Sequence, residues 1–195
     1  PENNPEALAL YCLCNGRGID VGCGGRKTHP SAIGIDILPA GAVYPPGQPD
    51  GVKCVADICA SGDALTMFRD GELDYVVSRH NLEHYQDPLR ALEEWRRVLK
   101  PGGILGLVLP DDSENDSIHL DSTHKHVFTP DSFRRLMGYF GGFEILYLEP
   151  CLYRWSFTAI LQKQGGSCGR FDYLSALCRD TTSRCARYAG ALEES

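Results

Sequence analysis

An apolar run ending in a glycine-rich turn, Ile19-Asp20-Val21-Gly22-Cys23-Gly24-Gly25-Arg26, carries the strongest local chemical signal in the chain. Glycine at a strand end lets a ligand approach the backbone where any Cβ would clash. The turn fails as the dinucleotide fingerprint Gly-x-Gly-x-x-Gly, because Lys27 stands where a third glycine or an alanine is needed. Asp36 ends the run Ala32-Ile33-Gly34-Ile35-Asp36, followed by Ile37. A carboxylate at a strand tip can accept hydrogen bonds from both hydroxyls of a ribose, and its charge strengthens them. Asp57 closes a third run, Val55-Ala56-Asp57-Ile58, beside the place of a nucleobase, with a helix N-cap as its competing role. His80, His84, His124 and His126 are candidate proton acceptors, since histidine titrates near neutrality. His84 lies four residues after His80 and three after Asn81, and it is expected to face helix packing. The polar stretch Asp111–Thr129 gathers His119, Asp121, His124 and His126. Those are metal-ligand types, but their spacing does not match a helix-borne His-x-x-x-His pair. The stretch is expected to be a substrate-facing lid, with no metal.

These residues need a scaffold. Strands are predicted over Gly18–Val21, Ala32–Ile37, Lys53–Asp57, Asp74–Ser78, Ile104–Leu109, Phe143–Leu148 and Trp155–Gln162. Several are nearly continuous apolar runs, the pattern of strands buried on both faces of a parallel sheet. Pro88–Leu99 reads as a helix with Leu89, Leu92, Trp95, Val98 and Leu99 on one stripe, stopped by Lys100-Pro101-Gly102-Gly103. Thr129-Pro130-Asp131 opens a second helix carrying Phe133, Leu136, Met137 and Phe140, which ends at Gly141-Gly142. Strands alternating with helices make an α/β domain.

The first half is poor in helices. Only the ten residues Gly22 to Ser31 join the first two strands, and Pro39–Gly51 holds four prolines and three glycines. Parallel neighbours usually need a crossover of about a dozen residues or more, so the first crossovers are expected to be loops or stubs. One face of the sheet then needs another cover: the first sixteen residues, the C-terminal tail, or a second subunit. Gly165-Gly166-Ser167 reads as a linker, giving a domain over 1–164 and a linker with a helical tail over 165–195. Phe171, Tyr173, Leu174 and Leu177 in that tail suit docking on the domain or on a partner copy, so a homodimer or a covering domain is expected.

The chain has 195 residues, 43% hydrophobic and 23% charged, which suits one globular domain. Its 19 basic and 26 acidic residues give a net charge of -7, against a general nucleic-acid binder or a polybasic membrane-surface protein. No apolar run approaches the roughly 20 residues of a bilayer span, so a soluble, cytoplasmic protein is expected. Nine cysteines at irregular spacing, without a Cys-x-x-Cys pair, read as small buried hydrophobes rather than ligands.

With Leu82-Glu83-His84 after His80-Asn81, and Leu99-Lys100-Pro101-Gly102-Gly103 after the helix, the chain resembles the class I S-adenosylmethionine-dependent methyltransferases. It is most similar to the type 11-like group, with His-x-Leu-Glu-His after the fourth strand. The resemblance runs from about Arg17 to about Gln164 and includes His124-Lys125-His126-Val127-Phe128-Thr129-Pro130. It implies a Rossmann-like sheet of seven mostly parallel strands, the last one antiparallel at the edge. It also implies S-adenosyl-L-methionine as cofactor. Asp20, Gly22, Cys23 and Gly24 would surround its methionine end, Asp36 with Ile37 its ribose, and Asp57 with Ile58 its adenine. His80 would sit near the sulfonium, and His80, His124 and His126 are the candidate catalytic groups. Arg26 stands where the family usually has a third glycine, and the usual helix after the turn is missing. The implied reaction is methyl transfer to an oxygen or nitrogen of a small molecule or glycan. Three alternatives are a non-catalytic cofactor-binding module of a longer chain, which Pro1 as first residue allows, a nicotinamide-dependent oxidoreductase, and a metal-dependent enzyme using the histidine loop.

Overall fold

A computed structural model describes residues 4–44, 51–113, 115–165 and 171. In chain order come α1 (Pro5–Tyr11), β1 (Gly18–Val21), β2 (Ile33–Asp36), β3 (Ile58–Cys59) and β4 (Leu73–Arg79). A 3-10 turn (Leu82–His84), α2 (Pro88–Val98), β5 (Leu99–Pro110) and α3 (Ser117–Leu120) follow. The described chain closes with α4 (Pro130–Phe140), β6 (Phe143–Leu152) and β7 (Ser156–Lys163). The strands form one seven-stranded sheet in the order β3-β2-β1-β4-β5-β7-β6. β1 to β5 pair in parallel, and β7 runs antiparallel to both of its neighbours. Successive strands depart from β1 in opposite directions, toward β2 and toward β4. A crevice therefore opens at the carboxyl ends of β1 and β4, where open α/β sheets bind ligands.

The two expected helices form for the expected reasons. Asp87 caps α2 by accepting from the Leu89 and Arg90 N–H groups, and Pro88 needs no partner for a missing N–H. Thr129 and Ser132 make a reciprocal capping box for α4, which stops at Gly141 with φ 69°. Leu92, Trp95, Val98, Phe133 and Met137 from these helices pack on Val21, Ile35, Val76, Leu105 and Phe157 of the sheet. The opposite face is covered by the N-terminal segment. Leu8, Leu10 and Leu13 pack against Tyr75, Val77, Ile104, Val108 and Ile160, and Phe171 joins them.

The first two crossovers are loops among the described residues, as their length and proline content require. Two placements differ from expectation. The third strand is Ile58–Cys59, not Lys53–Asp57, so Asp57 precedes it instead of closing it. The last strand is antiparallel but interior: β7 lies between β5 and β6, and β6 takes the edge. The linker and tail expected over 165–195 lie outside the described residues, apart from Gly165 and Phe171. No helix among the described residues is long and apolar enough to cross a membrane.

Candidate functional site

The crevice holds a cavity of about 750 Å³, within the range of cofactor and small-molecule sites. Val21, Gly22, Gly24, Asp36, Ile37 and Leu38 form one wall, and His80, Asn81, His84 and Tyr85 the opposite one. Backbone geometry requires glycine at the turn. Gly22 has φ 68°, and a Cβ there would lie 2.5 Å from the Asn81 side chain. Gly24 has φ 59°, which turns its N–H onto Asp36 Oδ2 at 3.0 Å. Asp36 is 7% exposed and also accepts from Leu38 N–H at 3.0 Å and the Tyr44 hydroxyl at 2.8 Å. A carboxylate offers about four lone-pair sites, so three donors leave one open. Burial, with Asp36 beside it, pushes the Tyr44 hydroxyl pKa far up, so that hydroxyl stays a donor.

Four of the expected cofactor residues stand outside this cavity's wall. Asp20 alternates to the α1 face of β1, where it accepts from Thr28 N–H and faces Arg79. Burial raises its pKa and Arg79 opposes the rise. Arg79 in turn donates to Thr28 Oγ1 at 3.0 Å and the Arg26 carbonyl at 2.9 Å, so this group braces the loop after β1 from behind. Cys23 is buried against Cys54, Ala56, Leu38 and Tyr44, and burial raises its thiol pKa well above the ordinary range. Asp57 accepts from Gly34 N–H at 2.7 Å and Lys27 Nζ at 2.9 Å. Ile58 packs into the main core. The residues that do stand at the carboxyl end of β3 are Ala60, Ser61, Gly62 and Asp63. A strand placed two residues later would have pointed to them.

His80 turns into the cavity wall from a backbone with φ 46°, uncommon for a residue with a Cβ. Its Nε2 meets Glu6 Oε1 at 2.8 Å, and the same oxygen accepts the Ser156 hydroxyl at 2.7 Å. Burial pushes the His80 pKa down, but the bond and charge of Glu6 outweigh it and the net direction is upward. Glu6 shows the reverse balance: burial raises its carboxyl and His80 carries it below the ordinary value.

Below His80 the 3-10 turn buries Glu83 completely, and burial pushes its carboxyl up to about 7. The Lys125 and His126 N–H groups bond the Glu83 carbonyl at 2.8 and 3.2 Å, which folds residues 121–126 onto the turn. Thr123 and Lys125 thereby line the cavity, whereas His124 and His126 do not. His126 is half-buried, with Nε2 3.4 Å from the Gln86 carbonyl. His84 lines the cavity instead of packing inward, with Nδ1 3.0 Å from Thr123 Oγ1. Burial lowers the pKa of both His84 and His124. His119 is on the surface with Asp116 at 2.5 Å.

A seven-stranded sheet of this order, with a glycine turn after its first strand and a carboxylate ending its second, defines the class I S-adenosylmethionine-dependent methyltransferase fold. A structure of such a methyltransferase from Aquifex aeolicus superposes with a TM-score of 0.59 at 18% identity, over 83% of this chain and 90% of that one. Residues 19–107 match the model of the methyltransferase domain family, and the fold is that of the class I S-adenosylmethionine-dependent methyltransferases. The MJ1123 protein of Methanocaldococcus jannaschii is 33% identical over 132 residues, 65% of this chain and 60% of its own length. A 37.1 kDa protein in transposon Tn4556 of Streptomyces fradiae is 35% identical over 109 residues, 54% of this chain and 30% of its own. The chain thus spans less than two thirds of either relative.

Proposed function

We propose that this chain transfers a methyl group from S-adenosylmethionine to an oxygen or nitrogen nucleophile on a small molecule or glycan. What supports the reading most is that one cavity brings together the glycine turn, the Asp36 carboxylate and the His80 imidazole. The donors and acceptors present fit the cofactor. The Gly22–Gly24 backbone leaves room for close approach, Asp36 keeps an acceptor site for a ribose hydroxyl, and Ile37, Ala60 and Leu38 offer an apolar slot. The bound cofactor supplies a methyl group on a sulfonium, which is already a strong electrophile.

The chain's own task is alignment. Engaging both ribose hydroxyls takes two acceptor sites on Asp36, so the Tyr44 hydroxyl must turn off Oδ2 as the ribose arrives. His80 faces the acceptor side, with Glu6 fixing its ring orientation and tautomer as a carboxylate does for a paired imidazole. An acceptor hydroxyl would pass its proton to Nδ1, the ring nitrogen that Glu6 leaves free. His124 and His126 do not reach the cavity and serve the loop around it. The net charge of -7 disfavours a nucleic-acid acceptor.

The test is transfer of labelled methyl from S-adenosylmethionine to panels of small-molecule alcohols, amines and glycans. Transfer by the wild type, with a lower kcat in His80→Asn, supports the reading. Tight S-adenosylhomocysteine binding without transfer to any acceptor would favour a non-catalytic module.

A further inference from the structure

Glu83 is fully buried, yet neither carboxylate oxygen has a hydrogen-bond partner. A buried acid without partners is costly, and such groups in native structures point to something that completes them. Three imidazoles surround Oε1: His124 Nε2 at 3.8 Å, His84 Nε2 at 4.0 Å and His80 Nδ1 at 3.8 Å. These separations are too long for hydrogen bonds. They approach the spacing of atoms that share one small ion, each about 2.0–2.2 Å from it. The ligand atoms of Glu83, His84 and His124 all lie within 4.8 Å of one another. His124 Nδ1 is also buried without a side-chain hydrogen-bond partner, and its Nε2, 3.8 Å from Glu83 Oε1, lies 3.9 Å from Asp121 Oδ2.

We propose that Glu83, His84 and His124 bind a divalent transition-metal ion, with an open coordination position toward the cavity. Two imidazoles and one carboxylate form a borderline donor set that suits zinc, cobalt, manganese or iron. Magnesium and calcium prefer oxygen-only shells. Surrounding contacts already orient the ligands, as outer-shell partners do in metal sites. His84 Nδ1 is held by Thr123 Oγ1, which donates to Asp121 Oδ1 at 2.6 Å. Glu6 holds Nε2 of His80 and turns its Nδ1 toward the same carboxylate. His80, His84, Thr123 and Lys125 line the cavity, so the open side faces it. Cys23, Asp36 and Cys54 also cluster within 4.8 Å, but Asp36 there has three donors and Cys54 Sγ reaches the Leu38 carbonyl at 3.2 Å. That cluster is satisfied without an ion.

The metal site does not depend on methyl transfer, and its test uses no acceptor. Tag-free chain, treated with chelator and dialysed, is titrated with Co²⁺ and followed by calorimetry and visible absorption. One ion per chain is expected, with the spectrum of a nitrogen and oxygen shell, displacement by Zn²⁺ and none by millimolar Mg²⁺. Glu83→Gln, His84→Asn and His124→Asn should each weaken binding by more than about 100-fold, the upper end of what even an outer-shell loss costs. The Cys23→Ser/Cys54→Ser variant should bind as the wild type does. Circular dichroism identifies a variant that fails to fold, and the wild-type spectrum then decides. No cobalt binding at millimolar metal, a thiolate charge-transfer band, or unchanged affinity in all three folded ligand variants would overturn the proposal.

Discussion

Replacing Glu6 with alanine should destabilise the protein and disturb its site at once. Glu6 lies in α1, is 7% exposed, and joins that helix to His80 at the end of β4 and to Ser156 at the start of β7. Removing one partner of a buried charged pair typically costs about 3–5 kcal/mol. The stranded Ser156 hydroxyl, 1% exposed, contributes part of that loss. The His80 side chain keeps 29% exposure and can rehydrate, which brings the expected cost to the lower end, about 3 kcal/mol. Glu6→Gln keeps an acceptor for Ser156 and loses only the charge, so about 1–2 kcal/mol is expected. Urea unfolding measures both, with a lower midpoint at unchanged m-value as the signature. Catalytically, both variants should lower kcat more than they raise KM, because the His80 ring loses its anchor. A loss below about 1 kcal/mol in Glu6→Ala at constant m would show that α1 is not fastened there.

Asp36→Ala should weaken S-adenosylhomocysteine binding by about 2–3 kcal/mol, roughly 30- to 150-fold, the scale of charged hydrogen bonds; calorimetry on the folded variant reads it. Tyr44→Phe should leave that affinity unchanged or tighter, since the hydroxyl competes with the ribose for Asp36 Oδ2, and a large loss of affinity would contradict this. Asp57→Asn should act on stability. The Gly34 N–H and Lys27 hold the Asp57 carboxyl below the ordinary aspartate value of 3.8, so its stabilisation is present above that value and is lost as pH falls through the lower folded one. Melting curves should show a lower neutral-pH melting temperature and a flatter acid limb in Asp57→Asn. The change should be small, under about 1 kcal/mol, because the side chain is 49% exposed.

Local signals were legible where a cap or a continuous apolar run decided the structure. Asp87-Pro88 and Thr129-Pro130 announce their helices because the cap side chains satisfy the first backbone N–H groups. Gly22, Gly24 and Asp36 were legible because strand end, glycine and acid coincide in sequence. The third strand was not, since the run Lys53–Asp57 is β-prone while pairing with β2 confines the ladder to Ile35–Ile58 and Asp36–Cys59. The interior place of β7 had a usable sign: Phe157-Thr158-Ala159-Ile160-Leu161 carries no charge, whereas β6 carries Glu144, Glu149 and Pro150, as an edge strand can. The seven-residue α1 is too short to show a period, and its Glu6 meets His80 only through the tertiary fold. The sequence position of His84, four residues after His80, points to packing. The 3-10 turn instead carries it to the cavity wall beside Thr123, a direction that spacing alone does not encode.

The central claim is that the cavity between Asp36 and His80 is a cofactor site. Isothermal titration of the wild-type chain with S-adenosylhomocysteine, with NAD as comparison, addresses it directly. One molecule per chain should bind, and ligand at about 100 times Kd should stabilise the fold by roughly 2.7 kcal/mol while NAD adds nothing. A folded wild-type chain that gives no heat and no stabilisation with millimolar S-adenosylhomocysteine would contradict the account.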